Sequence, residues 1–315
     1  MSPLVSVIIS THNPEQRLFE RTLTAISRQT FDAKKWDITI VDNASNPPLN
    51  MPSIAANMAN CMLIQEGRLG LSYGRLAGIH QSKGDLIVLV DDDNVLPPDY
   101  LENAVDIFRR KKELGVAGGI IEPEWCDREP ESWATEFICL LALRNFGDDE
   151  LISTNALHPD SVPAFIPIGA GMVMRRAALT NWLAEAEHNT ITDRRGNELT
   201  SGGDSDMVLN ARRSGWAVGY FPQLKLTHLI PARRLSLDYM SRLTYASGKS
   251  EIVLLHKHGF YPWPASLPWT VPLRKARSYL RCRAWAGPTE YLRWKNACGR
   301  FDGRAAIGKQ GASRN

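Results

Sequence analysis

The chain has 315 residues, of which 43% are hydrophobic and 23% are charged, and its formal net charge is +3. This composition is typical of a globular protein and excludes a fibrous or low-complexity chain. The length allows a substantial core, arranged as one large domain or two smaller ones. A net charge this close to zero gives no reason to expect a nucleic acid as partner.

The cysteines and the apolar segments indicate the compartment. The five cysteines are scattered and odd in number, which argues for free thiols in a reducing, cytosolic-type compartment. Residues 1–9 are apolar but follow no basic segment, so they are predicted to form a strand and not a signal peptide. No stretch approaches the roughly 18 apolar residues of a transmembrane helix. We therefore expect a cytoplasmic protein that works in water or at a membrane surface.

The first 122 residues alternate between predicted strands and helices. Strands are predicted at 4–10, 36–41, 62–65, 86–90 and 116–121, and helices at 15–29, 71–81 and 98–112. This order predicts an α/β fold with a mostly parallel central sheet and helices on both faces. Polar residues end three strands, at Thr11, at Asp42 and at Asp91–Asp93, on the edge where open α/β sheets bind ligands.

The second part of the chain has a different pattern. Helices are predicted at 131–144, 177–187 and 204–214, short strands at 218–221 and 224–228, and polar loops at 147–163 and 193–203. Between them, Gly169-Ala170-Gly171 would let the backbone approach a ligand or a neighbouring strand closely.

Three adjacent aspartates, Asp91, Asp92 and Asp93, follow the apolar strand at 86–90. Adjacent carboxylates repel one another unless a positive charge lies among them. A hard divalent cation meets this need, because Mg²⁺ and Mn²⁺ prefer carboxylate, water and phosphate oxygens. The alternative is a helix N-cap at Asp93 or Asn94, with the prolines at 97–98 in the first helical turn.

Asp204, His228 and Arg75 are further candidates for a site. Asp204 opens a helix after two glycines, so it is either an N-cap or a general base held on a rigid helix start. His228 ends a strand and is either a hydrogen-bonded structural residue or a metal ligand. Arg75 could pair with carboxylates or bind a phosphate with both of its terminal nitrogens.

Taken together and in order, these motifs resemble the family 2 glycosyltransferases, which have the GT-A fold. The resemblance spans residues 5–234 and rests on the segments 5–13, 40–45, 70–78, 91–93 and 202–206 and on His228. Two positions depart from the family pattern. Gly203-Asp204 stands where the family often has Glu-Asp, and Leu76 stands where it often has Asn, so one polar contact near the nucleotide is in doubt.

The resemblance implies inverting, metal-dependent transfer of a sugar from a UDP-, GDP- or dTDP-sugar. The acceptor would be a glycan or a lipid-linked molecule in cell-surface polysaccharide or glycolipid synthesis. Asp204 would be the general base, and Asp93 and His228 would bind Mn²⁺ or Mg²⁺. Contacts to the nucleotide sugar are implied for Thr11, Asn13, Asp42, Asn43, Arg75, Asp91 and Asp92. The loops at 147–163 and 190–203 would form the acceptor walls.

This resemblance also suggests a division of the chain. Residues 1–234 would form the GT-A domain, with a nucleotide-sugar part to about residue 122 and an acceptor part over 123–234. Residues 235–315 would form a helical, basic C-terminal extension. Two other functions remain open, a sugar-phosphate nucleotidylyltransferase and a non-catalytic protein that binds nucleotide sugars or carbohydrates. The chain lacks a glycine-rich N-terminal phosphate loop with a basic signature, which argues against the first of these.

The C-terminal extension is the most basic part of the chain. A helix is predicted at 235–256, and residues 273–304 contain nine Arg or Lys but only two acidic residues. One interpretation is a basic, aromatic face that contacts the inner face of the plasma membrane near a lipid-linked acceptor. The other is a helical hairpin that packs on the catalytic domain and keeps its basic side in solvent. The residues after Gly303 are expected to fray.

Overall fold

The computed structural model describes residues 4–154, 162–186, 191, 193–194, 198–260 and 264–312. Its largest element is an eight-stranded sheet. The strands are β1 (Val5–Thr11), β2 (Trp36–Asn43), β3 (Cys61–Glu66), β4 (Leu86–Val90), β6 (Leu114–Gly118), β8 (Leu151–Ser153), β9 (Val173–Arg175) and β10 (Ala217–Tyr220). Their spatial order is β3-β2-β1-β4-β9-β6-β10-β8. Strands β3, β2, β1 and β4 are parallel, whereas β9 and β8 run antiparallel to their neighbours. The predicted α/β fold with a mostly parallel sheet is confirmed.

Helices cover both faces of this sheet. They are α1 (Gln16–Ser27), α2 (Ser53–Ala56), α3 (Leu71–Gln81), α4 (Tyr100–Arg110), α5 (Thr180–Ala186) and α6 (Gly203–Arg213). Every residue of β4 is buried, which explains its unbroken apolar sequence. Val88 points into the core under α1 and α4, and its neighbour Leu89 points into the core under α3 and α6. The two cores fix the positions of the strand ends on which the site is built.

The predicted strand at 116–121 is divided between two sheets. Strand β6 ends at Gly118, and β7 (Ile121–Trp125) pairs instead with β11 (Leu226–Ile230). The chain bends at Gly119, where an added Cβ would lie 2.3 Å from the carbonyl oxygens of Phe221 and Leu224. Only glycine fits that approach. The short strand β5 (Asn94–Val95), which was not predicted, completes the three-stranded second sheet.

Other differences from the predictions concern the connecting segments. The predicted helix at 131–144 is a 3-10 helix over Ser132–Leu141. The helix predicted at 177–187 begins as a 3-10 turn before α5. The predicted loop at 147–163 contains the edge strand β8, and its residues 155–161 lie outside the described part of the chain.

The C-terminal part is helical, as predicted. Helix α7 (Leu237–Lys257) packs along α9 (Pro288–Ala312), and α8 (Val271–Cys282) forms a hairpin with α9. Helix α9 continues past Gly303, where fraying was expected, to Ala312, and residues 313–315 lie outside the described part of the chain. At Gly303 the two long helices touch, because an added Cβ would lie 2.8 Å from the carbonyl oxygen of Lys249. Among the described helices, none combines the length and the apolar character that crossing a bilayer requires.

A buried charge cluster joins α7 to α6. Asp206, in the first turn of α6, is fully buried. Its carboxylate accepts hydrogen bonds from Lys257 Nζ at 2.8 and 2.9 Å, and His258 Nε2 lies 2.8 Å from Asp206 Oδ1. The end of α7 is therefore fastened to the start of the helix that carries Asp204.

We expect Asp206→Ala to lower the free energy of unfolding by about 3–5 kcal/mol, because it leaves the partners of a buried charge without their acceptor. Urea denaturation followed by circular dichroism measures the change. Asp106→Ala is the matched control, because Asp106 forms an exposed ion pair with Arg110 within α4. Loss of this ion pair should change the free energy of unfolding by only about 0–1 kcal/mol. Equal effects of the two substitutions would contradict the assigned role of the cluster.

Candidate active site

The polar ends of three neighbouring strands meet at one edge of the sheet. Strand β1 lies between β2 and β4, and its last residue Thr11 is paired in register with Asp42. Asp91 follows β4 directly. The predicted convergence of Thr11, Asp42 and the aspartates is thus present, because parallel strands bring their carboxyl ends to the same edge.

The three aspartates form a turn and do not cap a helix. Helix α4 begins only at Tyr100, after the strand β5, so the alternative of an N-cap at Asp93 or Asn94 is wrong. Asn94 holds the turn instead. Its side-chain oxygen accepts from the backbone N–H of Asp91, and its side-chain nitrogen donates to Asp93 Oδ1, both at 3.1 Å.

Asp92 lies in the middle of this turn and binds Thr11, whose hydroxyl donates to Asp92 Oδ2. Burial and the charge of neighbouring Asp93 raise the pKa of Asp92 to about 7. The protonated form of a carboxyl group is favoured where its negative charge has no solvent or cation to stabilise it. This turn therefore carries more negative charge than its present neighbours balance.

Asp93 faces two cationic or ionisable side chains. Arg234 Nη2 lies 2.8 Å from Asp93 Oδ2, and His228 Nε2 lies 3.3 Å from Asp93 Oδ1. Burial opposes ionisation of Asp93, but the charges of Arg234 and His228 outweigh it and hold the pKa of Asp93 well below its usual range. Strand β11 positions His228 beside Asn94, its partner in β5.

The chemistry of this group fits a divalent cation. Asp93 offers carboxylate oxygens, and His228 Nε2, which lies 3.3 Å from Asp93 Oδ1, offers a nitrogen that could bind a metal ion. In the described part of the chain, no three His, Cys, Asp or Glu side chains are grouped closely enough to bind an ion by themselves. A metal ion there would need further oxygens, which a diphosphate supplies. Arg234 Nη1 now lies 3.1 Å from His228 Nε2, so it would have to leave that nitrogen.

Arg75 links the aspartate turn to Asp204. Its Nη2 lies 3.1 Å from Asp91 Oδ1, and its Nη1 donates to Asp204 Oδ1. Arg75 is 4% exposed, while Asp91 and Asp204 are 31% and 25% exposed. The two carboxylates therefore remain open to solvent on either side of a buried guanidinium.

Asp204 does not cap α6, because the helix begins at Gly203 and its N-cap is Gly202. The second oxygen of Asp204 accepts from the backbone N–H of Gly169 at 2.8 Å. A Cβ at Gly169 would lie 2.1 Å from Arg75 Nη2. The backbone at Gly169 therefore makes a close approach, as expected, and the groups that it approaches are the paired side chains of Arg75 and Asp204.

Asp42, Asn43 and Asn13 organise the loops around the site. Asp42 accepts from the backbone N–H groups of Ser45 and Leu49 at 3.0 and 2.9 Å. Asn43 accepts from Gly70 N at 2.8 Å, which fixes the start of α3. Asn13 accepts from the backbone N–H at residue 46, also at 2.8 Å. A nucleotide contact by these three residues stays a prediction.

Arg234 and Asp193 also belong to this region, although no sequence pattern predicts their place in it. Arg234 follows His228 by six residues in a basic segment, and no pattern distinguishes it from Arg233 beside it. Asp193 is buried and accepts from the backbone N–H of Gly203 at 2.9 Å with both oxygens. It lies in a predicted loop, where an acidic residue carries no structural signal.

We expect Asp92 to make the metal-free protein less stable as the pH rises from 5 to 8. Between about pH 4, the ordinary pKa of an Asp in an unfolded chain, and pH 7, the folded protein keeps a proton on Asp92 that the unfolded chain has lost. This contribution to stability therefore shrinks as the pH rises towards 7 and is gone above it. The loss should be on the order of 2 kcal/mol. Urea denaturation at both pH values should show it in the wild type and not in Asp92→Asn.

Asp148→Asn, at an exposed position, is the control for this experiment and should keep the pH dependence of the wild type. The same pH dependence in Asp92→Asn as in the wild type would show that the raised pKa belongs to another group.

Comparisons with known proteins identify the family. A sequence model described as "Glycosyl transferase family 2" matches residues 6–182, more than half of the chain. A glucosyl-dolichyl phosphate glucuronosyltransferase of Haloferax volcanii is 23% identical over 255 residues, which cover 79% of this chain and 77% of that protein. An N-acetylglucosaminyltransferase of Azorhizobium caulinodans is 24% identical over 73% of this chain, which spans 56% of that protein.

Solved structures share the fold. The mannosyltransferase PcManGT from Pyrobaculum calidifontis, in complex with GDP-Man and Mn²⁺, has a TM-score of 0.54 and 18% identity and covers 99% of this chain and 80% of its own. TarS 1-349 of S. aureus, also solved in complex with UDP-GlcNAc, has a TM-score of 0.51 and 14% identity and covers 99% of this chain and 92% of its own. These structures support the GT-A fold, and the match over residues 6–182 shows that the chain belongs to glycosyl transferase family 2.

Proposed function

We propose that this glycosyltransferase moves a sugar from a nucleoside-diphosphate sugar to an acceptor hydroxyl, with inversion at the anomeric carbon. The observation that carries the proposal is the position of Arg75. One buried guanidinium binds Asp91 of the aspartate turn and Asp204 of α6. A donor held at the aspartate turn would therefore present its sugar close to a carboxylate that can act as a base.

The donor would bind across the strand ends, with Thr11, Asn13, Asp42 and Asn43 on the nucleotide side. Two solved relatives of this fold contain GDP-Man or UDP-GlcNAc, which supports a nucleotide sugar as the class of donor.

Asp93 and His228 would hold a divalent cation, Mn²⁺ or Mg²⁺, which when bound offsets the negative charge that develops on the leaving diphosphate. Mn²⁺ in a solved relative is compatible with this proposal. The guanidinium of Arg234 now contacts both Asp93 and His228. On donor binding, this guanidinium would release the two side chains and bind a phosphate oxygen instead. Arginine suits this role because its planar fork binds phosphate with two parallel hydrogen bonds.

Asp204 would accept the proton of the acceptor hydroxyl as that oxygen attacks the anomeric carbon. A single carboxylate is sufficient for inversion, because the acceptor attacks directly from the face opposite the leaving group. Arg75 now donates a hydrogen bond to Asp204 Oδ1. A diphosphate near Asp91 would compete for Arg75, so donor binding would leave that carboxylate oxygen free to accept the proton.

The acceptor is proposed to be a glycan or a lipid-linked molecule. The names of two relatives include dolichyl phosphate and undecaprenyl phosphate, which supports a role in cell-surface glycan or glycolipid synthesis. Of the expected acceptor walls, 155–161, 190, 192 and 195–197 lie outside the described residues. The division into a GT-A domain to residue 234 and an extension after it is part of the same proposal.

We expect Asp204→Asn to reduce transfer by about 10²–10⁴-fold while donor affinity changes little, since the amide cannot accept the proton. Release of nucleoside diphosphate from a panel of UDP-, GDP- and dTDP-sugars, with glycan and polyprenyl-phosphate-linked acceptors, measures transfer. Calorimetry with the active donor measures affinity. Proton NMR of the product should show an anomeric configuration opposite to that of the donor.

Ser205→Ala, at the next position of α6, is the matched control and should retain wild-type transfer. Wild-type transfer in Asp204→Asn would remove Asp204 from the mechanism. Donor binding by the wild type without any transfer would support the non-catalytic alternative.

A further inference from the structure

The segment around α8 exposes an unusual amount of apolar surface. Five large side chains there are 57–77% exposed, namely Leu267, Trp269, Leu273, Leu280 and Trp285. In the described part of the chain nine large hydrophobic side chains are exposed, and the four outside this segment are only 38–40% exposed, so the most exposed ones are concentrated within nineteen residues. A contiguous exposed apolar surface of this kind marks a site of interaction.

The apolar side chains on the helix itself form one stripe. At 100° per residue, Leu273, Ala276 and Leu280 lie within about 60° of one another, and all three are exposed. Val271, on the opposite side of α8, is 6% exposed and faces the rest of the protein, where α8 packs against α9. The stripe therefore faces directly away from the molecule.

A basic stripe adjoins the apolar one. Arg274, Arg277 and Arg281 are exposed and also lie within about 60° of one another on the helix. Residues 264–287 contain five Arg or Lys and no Asp or Glu. Lys275, whose Nζ lies 2.7 Å from Asp302, belongs to the packed side of the helix. The outward face is consequently apolar and positively charged, with no acidic side chain from its own segment.

Aromatic side chains extend this face at the end of α8. The rings of Tyr279 and Trp285 have centroids 5.8 Å apart, and Trp294 of α9 packs edge-on against Tyr279 with centroids 5.1 Å apart. Trp285 remains 57% exposed. Tyr and Trp favour the boundary between hydrocarbon and water, because each combines an apolar ring with a polar group.

We propose that the outer face of α8 and its flanks, residues 267–285, binds the surface of an anionic phospholipid bilayer. The helix would lie in the plane of the interface, with Leu273 and Leu280 among the upper acyl chains and the arginines at the anionic headgroups. This proposal is independent of the transfer reaction, but it would place the enzyme beside any acceptor carried on a lipid.

Two other occupants fit the face less well. A second copy of the chain, related by twofold symmetry, would bring the same patch against itself and set Arg277 and Arg281 against like charges. A nucleic acid would match the arginines but would leave Trp269, Leu273 and Leu280 beside phosphates. An anionic bilayer offers acyl chains to the apolar stripe and negatively charged headgroups to the basic stripe.

Flotation of the full-length protein with phosphatidylglycerol vesicles tests the proposal. We expect binding to these vesicles, much weaker binding to phosphatidylcholine vesicles, and a marked loss in about 0.5 M NaCl, where charges are screened beyond about 4–5 Å. The variant Arg274→Gln/Arg277→Gln/Arg281→Gln and the variant Leu273→Ser/Leu280→Ser should each lose at least about tenfold in affinity.

The matched control removes three exposed positive charges elsewhere, in Arg28→Gln/Arg109→Gln/Lys112→Gln, and should bind like the wild type. The proposal is overturned if the wild type ignores anionic vesicles or if the α8 variants bind as well as it does. Dimerisation in sedimentation equilibrium that Leu273→Ser/Leu280→Ser abolishes would assign the face to a second copy and would also overturn it.

Discussion

The balance between four carboxylates and two guanidinium groups at one sheet edge determines the organisation of the site. Asp91 and Asp204 share Arg75, and Asp93 binds Arg234, while Asp92 is relieved mainly by protonation, with a pKa of about 7. Without the two arginines the carboxylates would repel one another in a partly buried place. With them, the site is still short of positive charge, and this is the condition in which the proposed divalent cation would be attracted to the aspartate turn.

Backbone contacts and one buried ion-pair cluster place these charges. The second sheet brings His228 beside the aspartate turn through its pairing with Asn94. Gly169 donates its backbone N–H to Asp204, and a Cβ at this position would lie only 2.1 Å from Arg75 Nη2. The buried pairing of Asp206 with Lys257 and His258 fastens the helix of Asp204 to α7. A small displacement in any of these would separate Asp204 from the aspartate turn, and orientation on this scale governs catalytic rates in enzymes.

The sequence predicted the parts of the fold that follow from periodic patterns. The bounds of strands β1, β2 and β4 and of helix α3 were predicted within one or two residues. Their apolar runs and the glycine turns beside them mark where each element begins and ends. Strand β7 was merged with β6, since the bend at Gly119 depends on distant carbonyl oxygens that no local pattern reveals. For the site, the aspartates, Arg75, Asp204 and His228 were recognisable as a set of motifs. Arg234 was not, because its role depends on where the chain after β11 returns in space.

The proposal that the aspartate turn binds a metal ion and a diphosphate is tested most directly by the melting temperature of the protein. It should be measured with UDP, GDP, dTDP and CDP, each with Mn²⁺, with Mg²⁺ or with EDTA. A ligand at about 100 times its dissociation constant stabilises by roughly 2.7 kcal/mol, which gives a readable shift. We expect one nucleotide to raise the melting temperature only when the metal ion is present. We expect this shift to be lost in Asp93→Ala when each protein is compared with its own unliganded melting temperature. A shift of equal size with EDTA, or an unchanged shift in Asp93→Ala, would contradict the assignment of the aspartate turn as a metal and diphosphate site.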